Sequence, residues 1–102
     1  MATQLFAVTL SYGPAWNTSQ ALEGQLGWPE HAEFMDALVA EGLVLLGGPL
    51  EGASGALLII RARSADEIRH RLADDPWARQ DLLRITSIVP WTLRLGRLEP
   101  AK

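Results

Sequence analysis

Apolar and polar or small residues alternate over residues 5–12, with Phe6, Val8, Leu10 and Tyr12 on one side and Ala7, Thr9 and Ser11 on the other. A two-residue period sends successive side chains to opposite faces of an extended chain, so this segment predicts a strand. Residues 13–28 contain Gly-Pro, Asn-Thr-Ser and two further glycines and read as a loop, with a short helix over 19–26 as the other option. A connection of that length within a small domain is characteristic of a lid or binding loop, and its Trp16, Leu22, Leu26 and Trp28 need a surface to pack on. Pro29 then suits the first position of a helix, Glu30 and Glu33 suit the positive end of its dipole, and Phe34, Met35, Leu38 and Val39 form an apolar stripe that stops at Gly42.

Residues 43–46 predict a short buried strand, broken at Gly47-Gly48-Pro49, and 51–55 predict a turn. Residues 56–60 are apolar in succession, so both faces of this third strand are expected to be buried until Arg61 and Arg63 appear. Ser64 followed three positions later by Glu67 is a capping box, opening a helix with Ala65, Ile68 and Leu72 on one face. Asp75-Pro76-Trp77 repeats that start signal for a shorter helical turn. Ile85, Ser87, Val89, Trp91, Leu93 and Leu95 define one side of a last strand, in which Pro90 argues for an edge position or a bulge.

The order βαββαβ predicts an α+β, ferredoxin-like antiparallel sheet with the helices on one face. The other face is left bare, and an apolar third strand makes it too oily for a monomer, so a homodimer with sheet packed on sheet is expected. The other option is a monomer whose C-terminal tail and tryptophan loop fold over that face. A pocket is expected to come with the barrel that such a dimer forms.

A length of 102 residues has room for one domain, taken as 1–96 with a tail over 97–102. Hydrophobic residues at 48% and charged residues at 21% are those of a folding chain and not of a disordered one. A formal charge of -3 offers no basic surplus for phosphates, which argues against nucleic acid and anionic membrane and for a small neutral or mixed-charge ligand. The absence of cysteine removes disulfides, thiolate metal sites and a cysteine nucleophile together. The opening Met-Ala-Thr-Gln lacks a signal-peptide pattern, and no apolar run approaches the ~20 residues that span a bilayer, so a cytoplasmic protein is expected.

His31 at the head of a helix, Phe34, Leu38, Gly42, the run Leu46-Gly47-Gly48-Pro49-Leu50, Gly55-Ala56-Leu57, Asp74-Asp75-Pro76-Trp77 and Pro90-Trp91 occur in a fixed order that resembles the YCII-related family. The resemblance spans nearly the whole chain. It implies a ferredoxin-like fold that dimerises into an α+β barrel, and an enzyme-like site built on a histidine and an aspartate, which fall here on His31 and Asp75. Most members have no proven activity, and one branch acts on chlorinated hydroxylated aromatics as a dehydrochlorinase. The departure from the family pattern lies before His31, where an arginine is expected and Leu26-Gly27-Trp28-Pro29 stands.

Such a pair serves as a general base when the carboxylate lies within ~3 Å of the imidazole, holds one tautomer, and an open pocket adjoins the ring. The plainer reading is that His31 is a polar residue on an exposed first turn and Asp75 a helix cap. Ser11 and Tyr12 at the end of the first strand, Gly48 and Pro49, and Trp28 and Trp77 are candidates for substrate binding. The four tryptophans could line an aromatic pocket for a flat ligand, but the favoured reading is a lid for Trp16 and Trp28 and core or interface for Trp77 and Trp91. His70, between Arg69 and Arg71, reads as a solvated face. Neither a metal nor a cofactor is expected. The resulting function is a small dimeric acid-base enzyme of lyase, isomerase or dehydrochlorinase type on a small aromatic or lactone-like molecule. The alternatives are a non-catalytic small-molecule-binding or accessory dimer, and a structural dimer without a pocket.

Overall fold

A computed structural model describes residues 2–52 and 54–98. The expected turn over 51–55 includes Ala53 and the expected tail includes 99–102, and these parts lie outside the described residues. The first alternating segment forms β1 (Gln4–Tyr12), with Phe6, Val8 and Leu10 buried and the residues between them half-exposed. β2 (Val44–Pro49), β3 (Gly55–Ala62) and β4 (Leu83–Trp91) complete a sheet in the order β2-β3-β1-β4, antiparallel at every pairing. Each β-α-β crossover passes over one strand position, which puts β1 and β3 at the centre and gives the ferredoxin-like α+β arrangement.

Three helices close one face: α1 (Trp28–Glu41), α2 (Ala65–Leu72) and the short α3 (Pro76–Arg79). Their Leu38, Ile68, Leu72 and Trp77 meet Phe6, Val8, Leu58 and Ile60 from the sheet in a single buried core. The helix ends follow local chemistry. α1 stops at Gly42, whose φ of 85° is open to glycine without penalty and whose N–H donates to the carbonyls of Leu38 and Val39. α2 starts at Ser64, whose Oγ accepts the Glu67 N–H at 3.1 Å, and Glu67 reaches back to accept the Arg63 N–H at 2.8 Å. That backbone hydrogen bond, ahead of the Arg63 charge, holds the Glu67 carboxyl below its ordinary range.

Three features depart from the expected pattern. β2 was expected to break at Gly47-Gly48-Pro49 but runs through them, pairing them with Leu58, Leu57 and Ala56. An edge strand tolerates a proline, and the Leu58 side chain occupies the space that a Cβ on Gly47 would need. β4 ends at Trp91 and does not include Leu93 or Leu95. Its expected alternation is also broken, because the register slips opposite Thr9 and Leu10. Ile85 therefore pairs with Leu10 on the helix face, while Ser87, Val89 and Trp91 pair with Thr9, Ala7 and Leu5 on the open face. An extra residue in one strand reverses the phase of the side chains, and Thr86 at this point donates its hydroxyl to the Thr9 carbonyl at 3.0 Å. Finally, Val39 is not core: it is 53% exposed, and of the α1 stripe only Leu38 is fully buried.

The face away from the helices carries Leu5, Ala7, Leu57 and Ile59 with Leu46, Val89 and Trp91, the last three exposed. Leu46 is 54% and Val89 52% exposed, so in the single chain this apolar surface is uncovered.

Candidate active site

The N-terminus of α1 sets the position of His31. Trp28 and Pro29 occupy the first two helical positions, and the His31 N–H makes an early helical hydrogen bond to the Gly27 carbonyl at 3.0 Å. Gly27 itself takes φ 77°, a left-handed turn that suits glycine, and turns the preceding loop into the helix. In the same helical layer, Asp75 caps α3 by accepting the Trp77 N–H on Oδ1 at 2.9 Å. The same carboxylate reaches His31 Nδ1, at 2.8 Å from Oδ1 and 3.0 Å from Oδ2. Capping and pairing are therefore compatible: Asp75 does both.

The pair is largely withdrawn from water, with side-chain exposures of 12% for His31 and 7% for Asp75. The imidazole lies flat on the Trp77 indole, with ring centres 3.8 Å apart and planes 6° from parallel. Trp77 is in turn fixed by donation from its Nε1 to the Leu26 carbonyl at 2.8 Å. An ionised carboxylate only accepts, so the proton of a neutral His31 is assigned to Nδ1, which leaves the Nε2 lone pair unused. Among the described residues no buried side-chain nitrogen or oxygen lacks a partner, and Nε2, having none, is open to solvent.

His31 lines a cleft of about 240 Å³ between the sheet and α1. Its floor is Tyr12, Ala56 and Leu58, and Gly47 to Pro49 form one lip. Trp28 and Trp77 stand beside the histidine, and Met35, Asp36 and Val39 continue along α1. The lining is mainly apolar, its polar groups come chiefly from Tyr12, His31 and Asp36, and no lysine or arginine contributes. A mainly apolar lining with a few polar groups is the usual character of a small-molecule site. Among the described residues no three His, Asp or Glu side chains gather in a way that could hold a metal.

Of the residues singled out from the sequence, Tyr12, Trp28, His31, Gly48, Pro49 and Trp77 come together on this cleft, with Asp75 behind the histidine. Ser11 is not brought there. It pairs with Gly55 and Arg84, and strand alternation directs it to the open face of the sheet. The cleft also lies on the helix-covered face, within one chain, and not inside a barrel between two sheets as expected. Met35, Asp36 and Val39 were not foreseen as lining residues, although counting four, five and eight positions from His31 along a helix points to them.

The loop before α1 forms one wall. Trp16 stacks on Tyr12 at 3.8 Å and meets Trp77 edge-on at 5.3 Å. The segment is loop as expected, and where a short helix over 19–26 was the other option it makes a single 3-10 turn, Leu22–Gly24. Gln25, 4% exposed, folds its amide into the loop: Oε1 accepts the Asn17 N–H at 2.9 Å, and Nε2 donates to the carbonyls of Asn17 and Gln20 at 2.7 and 3.1 Å.

A family model, the YCII-related domain, matches residues 8–92. The chain belongs to the YCII-related family. Within solved structures, this YCII-related chain is similar in fold to the 5-chloro-2-hydroxyhydroquinone dehydrochlorinase TftG from Burkholderia phenoliruptrix, in complex with 2,5-dihydroxybenzoquinone. The two are 22% identical, the match covers 90% of this chain and 95% of the other, and the TM-score is 0.60. Comparison with curated proteins gave no match.

Proposed function

We propose that this chain is a small homodimeric acid-base enzyme, of the lyase, isomerase or dehydrochlorinase kind, in which His31 moves a proton on a hydroxylated aromatic molecule and Asp75 orients it. The observation that carries this reading is the 2.8 Å contact between His31 Nδ1 and Asp75, with the same ring lining an apolar cleft. A carboxylate-held imidazole that lines a cavity is the arrangement a general base requires. Trp28 offers a face to the substrate ring, the Tyr12 hydroxyl a hydrogen bond, and the backbone at Gly48 and Pro49 a close-fitting lip. The solved neighbour, named a dehydrochlorinase and holding a dihydroxybenzoquinone, supports the substrate class.

The chemistry needs only proton transfers. A hydroxyl proton passes to the chlorine-bearing ring carbon, which becomes tetrahedral, and the oxygen becomes a ketone. A second hydroxyl, conjugated with that carbon, then gives its proton to His31 Nε2. Its electron pair pushes through the ring, and chloride leaves with the carbon-chlorine bonding pair. One proton is relocated, one leaves with chloride, and the product is a quinone, so no external oxidant is required. A stacked, carboxylate-held imidazole suits both transfers. The test is release of chloride from chlorinated hydroquinones by the purified chain. Release above the buffer rate is expected; bound ligand with no turnover across such a set would leave the non-catalytic binding module instead.

Support for the dimer comes from the open sheet face, where Leu46, Val89 and Trp91 are exposed. Sedimentation is expected to give a dimer at micromolar concentration. Val89→Glu, at an exposed position that the single chain does not bury, is expected to give a folded monomer. A wild-type chain that sediments as a monomer would remove this part of the reading without touching the cleft.

A further inference from the structure

Beside the cleft, a second cavity of about 260 Å³ lies between the same sheet face and the layer of α2 and α3. The two share Leu10, Leu58 and Leu83 from the sheet and one side chain from a helix, Met35. Met35 is thus the partition that descends from α1 between two spaces. It is half-buried, and its unbranched thioether rotates about three bonds more easily than any branched side chain there. His31 belongs to the first space and Asp75 to the second, so the pair stands in the same wall. Each space alone falls short of the ~300–1,000 Å³ usual for ligand sites, while the two joined fall within it.

The far end differs in charge from the near one. No cation lines the first space, whereas Arg69 and Arg84 line the second. Arg84 is engaged in a two-pronged pair with Asp81, at 2.8 Å for each contact. Arg69, on α2, makes no ion pair among the described residues. The one carboxylate lining this space, Asp75, is already turned to His31 and the Trp77 N–H.

We infer that the second cavity is a subsite for a ring substituent, an apolar arm of a few carbons that passes beneath Met35 and ends in a carboxylate paired with Arg69. This rests on the reading of the first cleft as a site for hydroxylated aromatics, and adds that the preferred ligand is an aryl-alkanoic acid. Arginine pairs with a planar carboxylate through two parallel hydrogen bonds, so the terminal acid contributes selectivity beyond the burial of the arm.

The probes are phenol, para-butylphenol and para-hydroxyphenylbutanoate, titrated against the fluorescence of Trp28 and Trp77. The wild-type chain is expected to bind the butanoate about tenfold or more tighter than phenol. Arg69→Gln, on an exposed helical position, is expected to abolish the advantage of the butanoate over butylphenol and to leave phenol binding intact. Ala78→Leu, which fills only the second space, is expected to weaken both extended ligands and spare phenol. Equal binding of the three ligands, or a butanoate preference that survives Arg69→Gln, would overturn the subsite. Failure of all three to bind would remove the aromatic reading of the first cleft, and the subsite with it.

Discussion

His31→Ala is expected to lower turnover of a chlorinated hydroquinone by about a hundred- to ten-thousand-fold, the usual contribution of a positioned acid-base group. Three constraints define the ring and none can be supplied by solvent: the Trp77 stack, the Asp75 carboxylate 2.8 Å from Nδ1, and the place of the ring in the cleft wall. The substitution leaves the buried Asp75 with the Trp77 N–H as its remaining partner, a cost of about 1–3 kcal/mol in stability. Thermal unfolding of the variant must therefore be measured beside its rate, and His31→Gln, which keeps a donor for the carboxylate, serves as the better-folded control. A folded variant with an unchanged rate would end the mechanism.

Asp75→Asn separates the two duties of the carboxylate. Asparagine caps a helix about as well as aspartate, so α3 and the overall stability are expected to persist. The amide, however, offers a donor to His31 Nδ1, which then has to accept, and the ring proton moves to Nε2 where a base is needed. Turnover is expected to fall by up to about ten-thousand-fold on that tautomer argument. Asp75→Ala removes the cap as well and is expected to cost a further 0.5–2 kcal/mol, or about 1 kcal/mol in the middle of the range. If the asparagine variant keeps full activity, Asp75 is a helix cap and nothing more.

The order of elements along the chain was legible because its signals are local and reinforce one another. A two-residue period marked β1, the Ser64 and Glu67 box marked α2, and Gly42 marked the end of α1. Both members of the His31 and Asp75 pair were also legible, though on the family resemblance more than on spacing, since 44 residues separate them. What escaped were effects of one chain segment on another. The slip opposite Thr9 changes which side of β4 faces the helices. Pro90 pointed to an edge position or a bulge, and β4 is an edge strand, but the slip falls at Thr86, where no residue of β4 marks it. The location of the cleft escaped for a similar reason. Periodicity names the faces of a strand, but not the hollow left where Gly47 and Ala56, both small and both on the helix face, lie beneath α1. Gln25 carries no distinguishing signal in the sequence, and only its near-complete burial identifies it as the fastener of that loop.

That fastening has a consequence for how a ligand meets the protein. With the Gln25 amide satisfied inside the segment and Trp16 seated between Tyr12 and Trp77, the conformational freedom of this stretch is surrendered when the chain folds. A ligand that docks against this wall as folded is spared the entropic toll of ordering it.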